Sequence, residues 1–124
     1  MSDFSLRLTF RYGSEIESPS LADMRAALAE VFHENHPDLT EGDYVEHPNS
    51  WLEYGFQNGD DWTVITVDVY RTGLALYSHL ADQDDDEPRA DHRLQNVTED
   101  RALELFQLLA NRDIDNLATV FQRP

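Results

Sequence analysis

Lysine and cysteine are both missing from this 124-residue chain. Without cysteine there can be no disulfide framework and no thiolate metal centre. All nine basic residues are therefore arginines; they face 25 acidic residues, for a formal charge of −16. That shortage of positive charge argues against duplex nucleic acid and anionic membrane surfaces as partners, because both are bound through excess Lys and Arg. It favours a protein partner with a basic surface, and it bears on association and solubility rather than on fold. Salt adaptation or GC-rich coding could produce the same bias, although the clustered Leu103, Leu105, Leu108 and Leu109 read as an ordinary core.

Long apolar runs are also absent. No stretch approaches the ~20 residues needed to cross a bilayer. The opening Met1-Ser2-Asp3-Phe4-Ser5-Leu6-Arg7 lacks the basic start and apolar run of a secretory signal. The expectation is a soluble cytoplasmic protein, a monomer or homodimer, with residues 1–124 forming one domain. A chain of this size buries roughly two-thirds of its unfolded surface. Its 40% hydrophobic and 10% aromatic content argues against disorder.

Local patterning predicts an α+β fold: an antiparallel sheet with helices packed on one face, in the order β-α-β-β-β-α-α. Phe4, Leu6, Leu8 and Phe10 alternate with polar residues, the period of a half-buried strand. Residues 15–19 read as a turn. Ser20 with Asp23 forms a variant capping box, and Leu21, Met24, Leu28, Val31 and Phe32 form a helical stripe that should end near Asn35, before Pro37. After a loop over 36–50, residues 51–57, 62–71 and 74–81 are rich in aromatic and β-branched types. Asn58-Gly59 and Thr72-Gly73 punctuate them, so they read as a three-stranded meander. Residues 83–93 read as a solvated acidic loop. Thr98 caps a second helix with a stripe of Leu103, Phe106, Leu109 and Ala110, and a short last helix follows the break at 113–115.

Two-residue turns at 58–59 and 72–73 would place Leu52 opposite Ile65, Tyr54 opposite Thr63, Val69 opposite Leu76 and Ile65 opposite Leu80. The helix-packed face would then carry Leu52, Tyr54, Phe56, Thr63, Ile65, Val67, Val69, Leu74, Leu76, Ser78 and Leu80. The other face would carry Trp51, Glu53, Gln57, Trp62, Val64, Thr66, Asp68, Tyr70, Tyr77 and His79. Of these, Trp51, Glu53, Trp62, Asp68, Tyr70, Tyr77 and His79 are the candidate partner-binding residues. Trp and Tyr are enriched at binding hot spots, and carboxylates among them seek Arg or Lys. A cross-strand aromatic ladder, or cover by the first strand or last helix, would be the structural alternative. Arg7 and Arg11 fall on the polar side of the first strand, where surface ion pairs are expected.

Catalytic and metal motifs are weak. His33 and His36 sit three apart at a helix end without a third ligand. Asp82, Asp84 and Asp86 have calcium-loop spacing, but Glu87 and Arg93 stand where the loop needs Gly and a bidentate Glu. Glu53 with Asp68 could be imagined as a hydrolytic carboxylate pair and His79 as a base, yet an open sheet face offers no enclosing pocket. No catalytic residue, cofactor or metal site is expected.

The segments Trp51-Leu-Glu-Tyr and Asp60-Asp-Trp-Thr-Val-Ile-Thr-Val-Asp-Val-Tyr, the hairpin after them, the acidic loop and the paired C-terminal helices together give a particular style. It resembles the cognate immunity proteins of bacterial polymorphic and type VI secretion toxins. The resemblance implies a non-enzymatic inhibitor that binds a toxin domain and blocks its active site. An acidic secretion chaperone or adaptor, acting as a dimer on an extended client, is the alternative; a small enzyme is a third.

Overall fold

The computed structural model describes residues 4–11, 13–33, 49–80 and 90–122. Six strands form one antiparallel sheet: β1 (Phe4–Thr9), β2 (Glu15–Glu17), β3 (Asn49–Asn58), β4 (Asp61–Tyr70), β5 (Ala75–Leu80) and β6 (Ala90–Leu94), in the spatial order β2-β1-β3-β4-β5-β6. Among the described residues the helices are α1 (Leu21–His33), α2 (Glu99–Ala110) and α3 (Ile114–Gln122). The α+β class and its sheet-plus-helices layering follow the expectation. Two short strands do not. Residues expected as a turn form β2 on one edge, and the end of the expected acidic loop forms β6 on the other. Both are too short and polar to show a clear period alone; pairing with β1 and β5 supplies their order. The acidic run 82–87 lies outside the described residues, as do His36 and the loop over 36–48.

The helix starts form as the sequence dictates. The Ser20 amide donates to Asp23 Oδ2 at 2.9 Å while the Asp23 amide donates to Ser20 Oγ at 3.1 Å, a reciprocal capping box. At α2, the Arg101 amide donates to Thr98 Oγ1 at 3.2 Å. This helix ends in a Schellman arrangement: the Asp113 amide donates to the Leu108 carbonyl and the Arg112 amide to the Leu109 carbonyl. Arg112 occupies the left-handed position at φ 60° and lays its guanidinium over Phe4, 4.6 Å from the ring centroid.

Met24, Ala27, Leu28 and Val31 of α1, Ala102, Leu105, Phe106 and Leu109 of α2, and Leu117 and Phe121 of α3 are all buried. All but Val31 join one cluster with Leu8, Leu52, Ile65, Val67, Val69, Ala75, Tyr77 and Leu94 of the sheet. Each stripe is rotated from its expected centre. Ala27 replaces the exposed Leu21, and Ala102 and Leu105 lie deeper than Leu103 and Ala110. Small residues let the helices approach the sheet. These described helices thus lie on one face.

Arg11 departs from its expected place. The Gly13 amide bonds back to the Phe10 carbonyl, so the chain has left the strand before Arg11. The side chain is buried, at 4% exposure, and its Nη1 lies 3.5 Å from the Glu30 carbonyl of α1. Arg7 stays on the outer face.

Candidate functional site

The hairpin turns decide which side chains reach the outer face. Between β3 and β4 the turn residues are Gly59 and Asp60, with Asn58 paired to Asp61. Gly59 has φ +66° at the first turn position, where a type II′ turn takes glycine. Leu52 therefore opposes Val67 and Tyr54 opposes Ile65. Each partner is two residues from the expected one, and a shift of two leaves both faces intact.

Between β4 and β5 the turn is one residue longer than expected. The Tyr70 amide donates to the Leu74 carbonyl at 2.8 Å and the Gly73 amide to the Tyr70 carbonyl at 3.0 Å, closing a loop over Arg71, Thr72 and Gly73. Gly73 has φ +88°, and a Cβ there would meet the Val97 carbonyl at 3.2 Å. Left-handed glycine after a tight turn is the signature of a three-residue hairpin with a bulge. The odd change in loop length turns β5 over: Val67 pairs with Tyr77, Ile65 with His79 and Asp68 with Leu76. Tyr77 and His79, expected on the outer face, instead face the helices. Tyr77 is 3% exposed and packs 5.5 Å from Phe121, and burial pushes its hydroxyl pKa up. Leu74, Leu76, Ser78 and Leu80, expected under the helices, turn outward.

The outer face thus keeps Trp51, Glu53, Trp62, Asp68 and Tyr70 from the candidate set. Val64, Leu74, Leu76 and Leu80 stand with them. None of its apolar members belongs to the core cluster, and all are partly exposed. One row runs across all six strands as Glu15, Thr9, Trp51, Asp68, Leu76 and Arg93. Leu74, Leu76 and Leu80 could have been assigned to this face from Arg71-Thr72-Gly73, since glycine at the third position suits a bulged turn better than a two-residue one.

The two outer carboxylates differ in partnership. Glu53 Oε2 accepts from Arg7 Nη2 at 2.9 Å, and Glu53 Oε1 accepts from the Trp51 indole N–H at 3.0 Å. Arg7 Nη1 also lies 3.8 Å from Glu15, and the Glu53 hydrogen bond, followed by its charge, raises the Arg7 pKa further. Asp68 Oδ1 accepts from Asn49 Nδ2 at 3.0 Å. Burial raises the Asp68 pKa to about 6, opposed by the Asn49 bond and reinforced by the Glu53 charge. Burial, and then Asp68, raises the Tyr70 pKa as well. Beside this network, Ser5, Arg7, Glu17, Glu53, Gly55, Trp62 and Val64 line an open concavity of about 260 Å³.

His33 Nε2 sits 2.9 Å from Glu99 Oε2, tying the end of α1 to the start of α2. Among the described residues no three His, Asp or Glu side chains converge as a metal site, and no helix is long and apolar enough to cross a membrane. No protein-family model, curated protein or solved structure matches the chain.

Proposed function

We propose that this chain is a binding protein that docks a basic protein partner on its outer sheet face, and that it serves as the immunity protein of a bacterial toxin. One observation carries the reading. Trp51, Trp62, Val64, Tyr70, Leu74, Leu76 and Leu80 share a sheet face, while the helices among the described residues pack on the other. Apolar surface rimmed by polar groups marks interaction sites in soluble proteins, and aromatic side chains supply most hot spots.

The charge supports the choice of partner. A net −16 concentrates field around the molecule and repels phosphate-rich ligands. Against a basic cleft the same field raises association rates by ~10–10³-fold. The aromatic anchors then slow dissociation, which is where most affinity differences arise. In a nuclease or deaminase toxin, the acidic face would occupy ground meant for nucleic acid phosphates.

The test begins with capture of the partner from the producing cells by the intact chain, then titration of the purified partner. Trp51→Ala and Trp62→Ala should each weaken binding by ~2 kcal/mol or more, about 30-fold, with the fold kept. Expression of the partner alone should arrest growth, and co-expression of the chain should restore it. Undiminished binding by both variants, or a partner harmless to cells, contradicts the reading. A dimer holding an extended client would point to the chaperone instead.

A further inference from the structure

Resting on the reading above, the geometry points to Asp68 as the receptor on this face for one arginine side chain of the partner, with Trp51 and Tyr70 as its walls and Asn49 as its clamp. Of the two expected carboxylates, only this one is available. Glu53 has both oxygens engaged, by Arg7 and by the Trp51 indole. Asp68 has one oxygen held by Asn49, and no cation among the described residues pairs with it.

Apart from the Asn49 amide, the described surroundings of Asp68 offer no relief of its charge. Across β3 stands Trp51, flanked by Asn49 and by Glu53, a second anion. Across β5 stands Leu76, flanked by Leu74 and Ser78. On β4 itself the neighbours are Thr66 and the phenol of Tyr70. Arg93 lies one strand further, paired with Leu76 on β6, and Arg7 is committed to Glu53 and Glu15. A carboxylate taken out of water without a counter-ion holds its proton more tightly, and an arriving cation releases that proton. A guanidinium suits the place better than an ammonium: it stacks its plane on an indole while donating in-plane to a carboxylate, and it is more weakly hydrated.

Binding is therefore linked to one proton. Below pH about 6, where free Asp68 is protonated, affinity should fall towards tenfold per pH unit. Above it, affinity should level off.

The test uses the whole chain and N-acetylarginine amide, a probe with the guanidinium as its one charge. Asp68 is followed by carboxyl-carbon NMR through a pH titration at matched ionic strength. The expected midpoint is about 6 without the probe, falling by roughly half a unit or more with it, while the Trp51 indole signal shifts. In Asp68→Asn, the probe should leave the Trp51 signal in place. An unmoved Asp68 midpoint overturns the assignment, as does an equal response to sodium chloride or to N-acetyllysine amide. Failure here is separable from failure of the docking reading. If the tryptophan variants lose the partner while Asp68 ignores the probe, the assignment alone falls. If Asp68 responds but both variants keep the partner, the docking reading falls.

Discussion

The indole of Trp62 lies across Gly55 on the neighbouring strand, so closely that a Cβ on residue 55 would meet Trp62 Nε1 at 2.7 Å and Cε2 and Cζ2 at 2.9 Å. A glycine in a strand interior costs backbone entropy, and an aromatic ring laid over it restores some packing. Here the missing side chain lets an indole lie on the sheet beside Arg7 and Glu53. Gly55→Ala should therefore push the ring off the sheet at a cost of roughly 1–3 kcal/mol. Thermal melting and the Trp62 indole NMR signal read both effects. An unshifted indole signal at full stability would refute the close approach.

The reversed face of β5 gives a second expectation. Tyr77→Ala should destabilise the fold by ~3–5 kcal/mol, as truncations of large buried aromatics do. Leu76→Ala, on the outer face and partly exposed, should cost no more than ~1 kcal/mol. Urea unfolding of the two variants compares them directly, and the opposite ranking would mean that the turn at Arg71-Thr72-Gly73 holds two residues rather than three.

Asp68 should make stability depend on pH in an unusual direction for a carboxylate. Its pKa is about 6 in the folded chain and about 3.9 when unfolded. Between these values the folded state binds more protons than the unfolded one, so this group's contribution to stability falls as pH rises from about 4 to about 6. The full effect is of order 3 kcal/mol. Asp68→Asn removes that dependence, so the variant should melt higher than the parent at pH 8 and be indistinguishable at pH 4. A lower melting point at pH 8 would show the charge to be stabilising. A residue that costs stability where a partner would bind is what a functional carboxylate does.

The caps should behave as ordinary helix starts. Thr98→Ala and Ser20→Ala should each cost ~1 kcal/mol, whereas Thr98→Ser should avoid most of the loss. Circular dichroism melts check both. A change within a few tenths would mean that the hydroxyls are replaced by water at no cost.

Much of the architecture could be read from local chemistry. Ser20 with Asp23, Thr98 with Glu99, and the alternation through Phe4 to Phe10 mark elements whose signals lie within a few residues. The outer tryptophans were readable because β3 and β4 differ from the expected pairing by an even step. β5 was not, since one extra turn residue reverses every side chain after it, and that residue is settled by Gly73 packing beneath Val97, a contact far along the chain. The pairing of Glu53 with Arg7 was hidden for the same reason: these residues are 46 positions apart and meet only because β1 pairs with β3. Arg11 was expected on the polar surface of the first strand, but the chain turns away after Phe10 and carries that guanidinium into a buried place beside the Glu30 carbonyl of α1.

The partner is expected to seat on the outer sheet face. Because the chain has two tryptophans and both lie on that face, their indole N–H signals report on it without ambiguity. The decisive measurement is the nitrogen-15 NMR spectrum of the intact chain, titrated with the purified partner. Both indole signals should shift or broaden on forming a one-to-one complex, with the amides of α1 and α2 unmoved. Two stationary indole signals, with changes confined to the helices, would contradict the account.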